Sequence, residues 1–186
     1  MNQNASNLFP NLETERLRLR QEKKEDAEAV FAIFCDPKVT QFHSLNAFAR
    51  VDEASRLINR RTRDFAMQRR IRWGIALKPD NYLIGSGGFT WKENNSAEIG
   101  YELASKFWRR GIMSEALSSI LRYGFEVKGL KFVVAEVMPA NIASKKLLAK
   151  LGFQSQQVMF GRGFWHGKYH DLERFELVKD CFRSRL

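Results

Sequence analysis

Between residues 97 and 129 the spacing of apolar positions changes once. In AEIGYELA (97–104) Ile99, Tyr101 and Leu103 fall on one side and Glu98, Gly100 and Glu102 on the other, the two-residue alternation of a strand. From Met113 the apolar residues are Met113, Ala116, Leu117, Ile120, Leu121, Gly124 and Phe125. That stripe has helical period, and Gly129 is placed to stop the helix. Between strand and helix lies WRRGIMSE, where Arg109 and Arg110 bring positive charge and Gly111 permits close backbone approach. The first amides of the helix, which have no intrahelical partner, point outward there. The pattern predicts a turn that holds an anion, a diphosphate best of all.

The rest of the chain fits around this unit. In RLRLR (16–20) Leu17 and Leu19 are expected in the core, with Arg16, Arg18 and Arg20 facing water. Ala27, Val30, Phe31 and Phe34 mark an amphipathic helix that begins at Lys24 and ends near Asp36, because Pro37 disfavours a helical residue before it. A second helix, with Asp52 as N-cap, is expected to run through Leu57, Ile58 and Phe65. RWGIAL (72–77) and YLIGSGGFTW (82–91) read as strands separated by the turn Lys78-Pro79-Asp80-Asn81. The GSGG cluster lies inside a strand pattern with no helix after it, so it predicts a bulge or close backbone approach. After Gly129, KFVVAEVM is a strand ended by Pro139, parallel to the first because a helix connects them. Asn141 is a candidate N-cap for a helix that carries Ser144 in its first turn, buries Ala143, Leu147, Leu148 and Leu151, and stops at Gly152. FQSQQVMF and YHDLERFELV form a final hairpin closed by GRGFWHGK. The order of elements predicts an α/β protein, a mixed sheet covered on both faces.

Composition bounds this picture. A chain of 186 residues with 44% hydrophobic content suits one domain with its own core. We expect a short polar tail over 1–11 and a single domain over 12–180. No apolar run approaches the roughly 18 residues of a membrane helix, and the first residues lack a signal-peptide pattern, so a soluble, cytoplasmic protein without membrane contact is expected. Cys35 and Cys181 are far apart and carry no zinc spacing, which predicts reduced thiols and no metal site. The formal net charge of +10 favours acidic partners: nucleotide cofactors, RNA-bearing particles or acidic peptides. Its densest cluster is Arg60, Arg61, Arg63, Arg69, Arg70 and Arg72, either a solvated helix face or a contact for RNA or a ribosomal surface.

The phosphate-binding Walker pattern and the three-glycine dinucleotide fingerprint are both absent. AEIGYEL followed by WRRGIMSEAL, and further on NIASKKLLAKLGF, instead resemble the coenzyme-A-binding segment of the GNAT acyltransferases, in the branch of the ribosomal-protein N-acetyltransferases. The resemblance extends more weakly from about residue 12 to 178. It implies a GNAT-type fold: a mostly antiparallel central sheet with one splayed parallel pair and helices on both faces. It also implies acetyl-CoA as acetyl donor, its pantetheine arm lying between ELAS (102–105) and VMPAN (137–141). By the same resemblance Leu103 offers main-chain groups to pantetheine. The diphosphate rests on amides of Arg109, Arg110, Gly111, Ile112, Met113 and Ser114. Asn141 reaches the pantetheine arm, Ser144 lies near the sulfur, and the loop 38–50, with His43, helps to form the acceptor pocket.

Acyl transfer from a thioester to an amine needs a base for the amine, a donor for the carbonyl oxygen as it gains charge, and a proton for the departing thiolate. Glu98 and Glu102 are the candidate bases, Glu98 slightly favoured because it belongs to the AEIGY match. A backbone amide at the splay can serve the oxygen. Ser144 can return the proton, with Tyr169 as the alternative. Some members of this branch carry a carboxylate in the last hairpin loop, but GRGFWHGKY has none before Asp171, which leaves the base open. His166 and His170 could assist or be ordinary surface or core residues; Phe164 and Trp165 line an acceptor tunnel or cover the sheet end. Three functions follow: acetylation of a protein N-terminal amine, that of a ribosomal protein included; acetylation of a small amine such as a polyamine, amino acid or drug; or a non-catalytic acyl-CoA-binding or RNA-associated module.

Overall fold

A computed structural model describes residues 8–183. Strands β1 (Leu12–Glu13) and β2 (Leu17–Arg20) lead into helices α1 (Ala27–Phe34), α2 (Pro37–Thr40) and α3 (Val51–Ala66). Then come β3 (Arg70–Leu77), β4 (Tyr82–Lys92), β5 (Ser96–Leu103), α4 (Ile112–Arg122), β6 (Phe132–Val137), α5 (Ile142–Leu151), β7 (Gln154–Trp165), β8 (Lys168–Val178) and α6 (Lys179–Arg183). The strands form one eight-stranded sheet in the order β1-β2-β3-β4-β5-β6-β8-β7. Each neighbouring pair is antiparallel except β5 and β6, whose connection runs through α4.

Period-two alternation gives the sheet two different faces. Leu17, Leu19, Ile71, Trp73, Ile75, Ile99 and Leu103 pack with Ala116, Leu117 and Ile120 of α4 and Leu148 of α5 in the larger core. On the opposite face Val30, Ile33 and Phe34 of α1 pack with Ala54, Leu57 and Ile58 of α3 against Leu83. Arg20, expected in water, lies under this second layer at 8% exposure. Its guanidinium forks onto the two oxygens of Asp26, each at 2.7 Å, and reaches Asn81. At Arg20 the polar side of β2 is covered by the Asp26 turn and Asn81, so this arginine needs a buried partner, while Arg18 on the same side stays partly exposed.

Three boundaries differ from those expected. Helix α3 starts one residue before Asp52, with Arg50 as N-cap, because Glu53 accepts from the amides of Ala49 and Arg50 and satisfies the helix start itself. Helix α4 gives way to a π-helical turn over Tyr123–Val127 before Gly129, and a Cβ at Gly124 would stand 2.9 Å from the Phe89 ring. The closing loop of the last hairpin shrinks to His166 and Gly167, both at positive φ as a two-residue turn requires, and the ladder absorbs the rest. The bulge expected at the glycine cluster falls at Ile84, where Ile75 faces Gly85 but Ala76 faces Leu83.

Candidate active site

Strands β5 and β6 are joined only at Ser96, Ala97 and Glu98, opposite Phe132, Val133 and Val134. β6 stays paired with β8 along its whole length, while β5 follows β4 to Leu103. Beyond Glu98 the two parallel strands therefore part, among the described residues, with no further pairing between them. The Ala104 amide donates to Ile84 on the β4 side. By the alternation of an antiparallel ladder, Leu103 and Tyr101 then turn their main-chain groups into the gap. The Trp108 indole N–H donates to the Leu103 carbonyl at 2.8 Å, so the gap's mouth is lined by that ring as well.

The gap leads to the turn before α4. Arg109 and Gly111 hold positive φ of 60° and 72°, and Gly111 is the N-cap. A side chain at Gly111 would meet only Arg16 Nη2, at 3.6 Å. Arg16 itself donates to the Arg110 carbonyl and pairs with Glu115 at 2.6 Å. Glu115 also accepts from Thr14 and from the Arg16 amide, which fastens the first turn of α4 to the β1–β2 connection. The result is a helix N-terminus with a close approach for an anion and guanidinium groups at its rim, the chemistry a diphosphate requires. Arg16 was legible only as an alternating strand residue; nothing local in the sequence places it beside Gly111.

Across the gap, Asn141 caps α5, its side chain accepting from the Ser144 amide at 3.1 Å. That bond orients Ser144, whose hydroxyl lies 2.6 Å from the hydroxyl of Tyr101. Tyr101, not Tyr169, is thus the tyrosine brought to Ser144. Tyr169 is 73% exposed in the final hairpin and rests on the Phe164 ring. Burial pushes the Tyr101 phenol up to about 12, against a smaller opposing effect of Ser144, so the phenol is protonated near neutral pH and able to donate.

The other face of β5 carries the two glutamates. Glu98 stands where the strands begin to part, with its side chain 36% exposed and on Lys92 at 2.9 Å. Glu102 is buried: Arg61 reaches it at 2.9 Å, and Arg72 and Ser86 bond to it closely. Arg61 also holds Glu22 at 2.5 Å. Two members of the arginine cluster therefore leave the surface, and only Arg60, Arg63, Arg69 and Arg70 remain exposed. Arg61 follows Leu57 and Ile58 on the buried stripe of α3, and Arg72 shares the α3-facing side of β3, so both turn towards the Glu102 carboxylate and neither belongs to an exposed basic face. His43 sits nearby, its ring edge-on to Phe34 and Nδ1 accepting from the Leu45 amide. Burial lowers its pKa, which keeps the imidazole neutral. In the last hairpin Trp165 stacks on His170 and Phe164 is exposed, while His166 forms the turn.

The Glu102 cluster has a consequence for stability. Burial alone would raise the Glu102 carboxyl, but Arg72 and Arg61, helped by the Ser86 hydrogen bond, bring it down to about 2. A folded-state value below the unfolded one contributes stability that is complete above about pH 4.5 and is lost as the pH falls towards 2. Glu102→Gln leaves the Arg72 guanidinium without a carboxylate and Arg61 with Glu22 alone, and should cost roughly 3–5 kcal/mol at pH 7. Urea unfolding followed against pH checks this: the gap between wild type and Glu102→Gln should narrow from pH 6 to pH 3, and a constant gap would contradict it.

Residues 16–154 match the family described as the acetyltransferase (GNAT) domain. The chain belongs to the GNAT acetyltransferase family. It is 38% identical over 174 residues to the uncharacterized N-acetyltransferase YoaA of Bacillus subtilis, covering 92% of this chain and 98% of that protein. It is 34% identical over 171 residues to the uncharacterized N-acetyltransferase p20 of Bacillus licheniformis, covering 90% and 96%. A shorter match, 36% over 58 residues and 31% of this chain, joins it to the [ribosomal protein uS5]-alanine N-acetyltransferase of Escherichia coli. Among solved structures, RimL, the ribosomal L7/L12 α-N-protein acetyltransferase in complex with coenzyme A, superposes with a TM-score of 0.81 at 20% identity, covering 92% of this chain and 99% of that one. This GNAT protein is an acyltransferase with acetyl-CoA as its acetyl donor.

Proposed function

We propose that this GNAT enzyme transfers acetyl from acetyl-CoA directly to the N-terminal α-amine of a protein. The observation that carries the reading is the parted pair β5–β6, with a hydroxyl pair on one face of the sheet and a reachable carboxylate on the other. Acetyl-CoA supplies the activated thioester. Main-chain groups of Tyr101 and Leu103 hold the pantetheine arm in the gap. The amides from Arg109 through Ser114, with Arg16 beside Gly111, hold the diphosphate. Asn141 keeps Ser144 aimed at the gap, and Ser144, backed by the protonated Tyr101, returns a proton to the departing sulfur. Glu98 takes the amine's proton through water. Glu102 is locked between two arginines and too weak a base at about 2, so it serves to position its neighbours.

The α-amine acceptor is supported by the local match to the uS5-alanine acetyltransferase. The exposed Arg60, Arg63, Arg69 and Arg70 would suit a ribosomal acceptor, whose surroundings are rich in phosphate. Thiol release from acetyl-CoA, measured with alanine- and serine-initiated peptides and with spermidine, tests the reading. Acetylation of the peptides at the α-amine supports it; tight coenzyme A binding without turnover of any amine overturns it. Glu98→Gln should lower kcat about a hundredfold and flatten the acid side of the pH–rate profile while coenzyme A affinity stays intact. A wild-type profile in that variant would move the base elsewhere.

A further inference from the structure

The buried charge cluster against α3 holds Glu22, Glu102, Arg61 and Arg72, equal numbers of each sign, yet it does not present them equally. The carboxylate side chains are 3% and 4% exposed and Arg61 is 12% exposed, whereas Arg72 is 20% exposed. Arg72 spends Nε on Ser86, at 2.7 Å, and Nη2 on Glu102. Its remaining nitrogen, Nη1, extends over Gly100 on β5. A Cβ built at Gly100 would stand 3.3 Å from Nη1 and within 4 Å of nothing else outside its chain neighbours. Gly100 is half-buried and lies just past Glu98, the last residue joined to β6. The molecule thus places one guanidinium N–H, held from behind by a carboxylate and a hydroxyl, over an open patch of backbone at the start of the gap. The face is the one that carries Glu98, opposite the Tyr101–Ser144 pair.

We infer that Arg72 selects the acceptor: its Nη1 donates to an oxygen carried next to the amine, the first carbonyl of a peptide or the carboxylate of an amino acid, and so seats the nitrogen over Gly100. The substrate class is an α-amine with an adjacent oxygen. Polyamines are disfavoured, because they bring positive charge to a guanidinium and offer it no acceptor. Fixing the oxygen orients the amine's lone pair, and orientation counts directly in the rate of a two-substrate step. Glu102 and Ser86 act through Arg72 and are positioning residues.

The inference rests on the acetyltransfer reading above, and the test separates the two. Steady-state thiol release is measured for wild type and Arg72→Lys with an alanine-initiated peptide and with ethylamine, the same amine without the oxygen. Lysine keeps the charge opposite Glu102 but loses the fork, so the variant is built to fold; circular dichroism and coenzyme A affinity serve as controls. We expect the peptide's KM to rise at least tenfold, its kcat to change less, and the ratio of kcat/KM for peptide over ethylamine to fall at least tenfold. An unchanged ratio in a folded variant overturns the role of Arg72, as does a wild-type preference for spermidine over the peptide. Failure to acetylate any amine while coenzyme A still binds would remove the acetyltransfer reading, and the inference with it.

Discussion

Gly111→Glu should weaken coenzyme A binding about a thousandfold or more in isothermal titration. The residue sits at φ +72° as the N-cap of α4, where a side chain costs on the order of 1–2 kcal/mol. The larger effect is charge. A carboxylate placed against a diphosphate about 4 Å away is opposed by roughly 4 kcal/mol at an effective dielectric of 20, and about 1.4 kcal/mol is a tenfold change in affinity. The new side chain also approaches Arg16 Nη2, 3.6 Å from the Cβ position, and would draw that guanidinium away from the Arg110 carbonyl. Gly111→Asn separates the contributions, since asparagine tolerates this conformation and brings no charge. It should lose about tenfold or less. Unchanged affinity in a folded Gly111→Glu protein would show that the diphosphate lies elsewhere.

Tyr101→Phe should lower kcat by about tenfold to a hundredfold with coenzyme A affinity unchanged, because it removes one hydroxyl and leaves Ser144 without its 2.6 Å partner. Ser144→Ala should do at least as much. If the hydroxyls act as one relay, the double variant will be no slower than Ser144→Ala alone, since residues that act as a unit are not additive. Rate losses that multiply would mean two independent roles. Single-turnover thiol release isolates the chemical step from product release in each variant.

The central unit was legible because each of its parts obeys a period. The alternation in β5, the stripe in α4, Asn141 before α5 and Gly152 after it are local signals, and each corresponds to an element in the structure. The charged residues were less legible, because a count of arginines ignores phase. Ala54, Leu57, Ile58, Arg61 and Phe65 lie on one helical stripe, and that spacing points Arg61 inward without any structure. Arg20 shows the complementary limit: alternation separates two faces of a strand but cannot say that Asp26 and Asn81 close over one end of the polar face. Tyr101 falls on the apolar side with Ile99 and Leu103 by alternation alone; a phenol there still needs a hydrogen-bonding partner, and Ser144 lies 43 residues away in the chain. Pairings of that range arise from topology and leave no local trace.

The three-residue junction between β5 and β6 makes the sheet two rafts moored at a single short quay. Any substitution that zipped them together would gain backbone bonds and close the berth for the acetyl donor. At this seam a sturdier protein would be a poorer enzyme, so evolution towards heat resistance has to find its gains in other parts of the molecule.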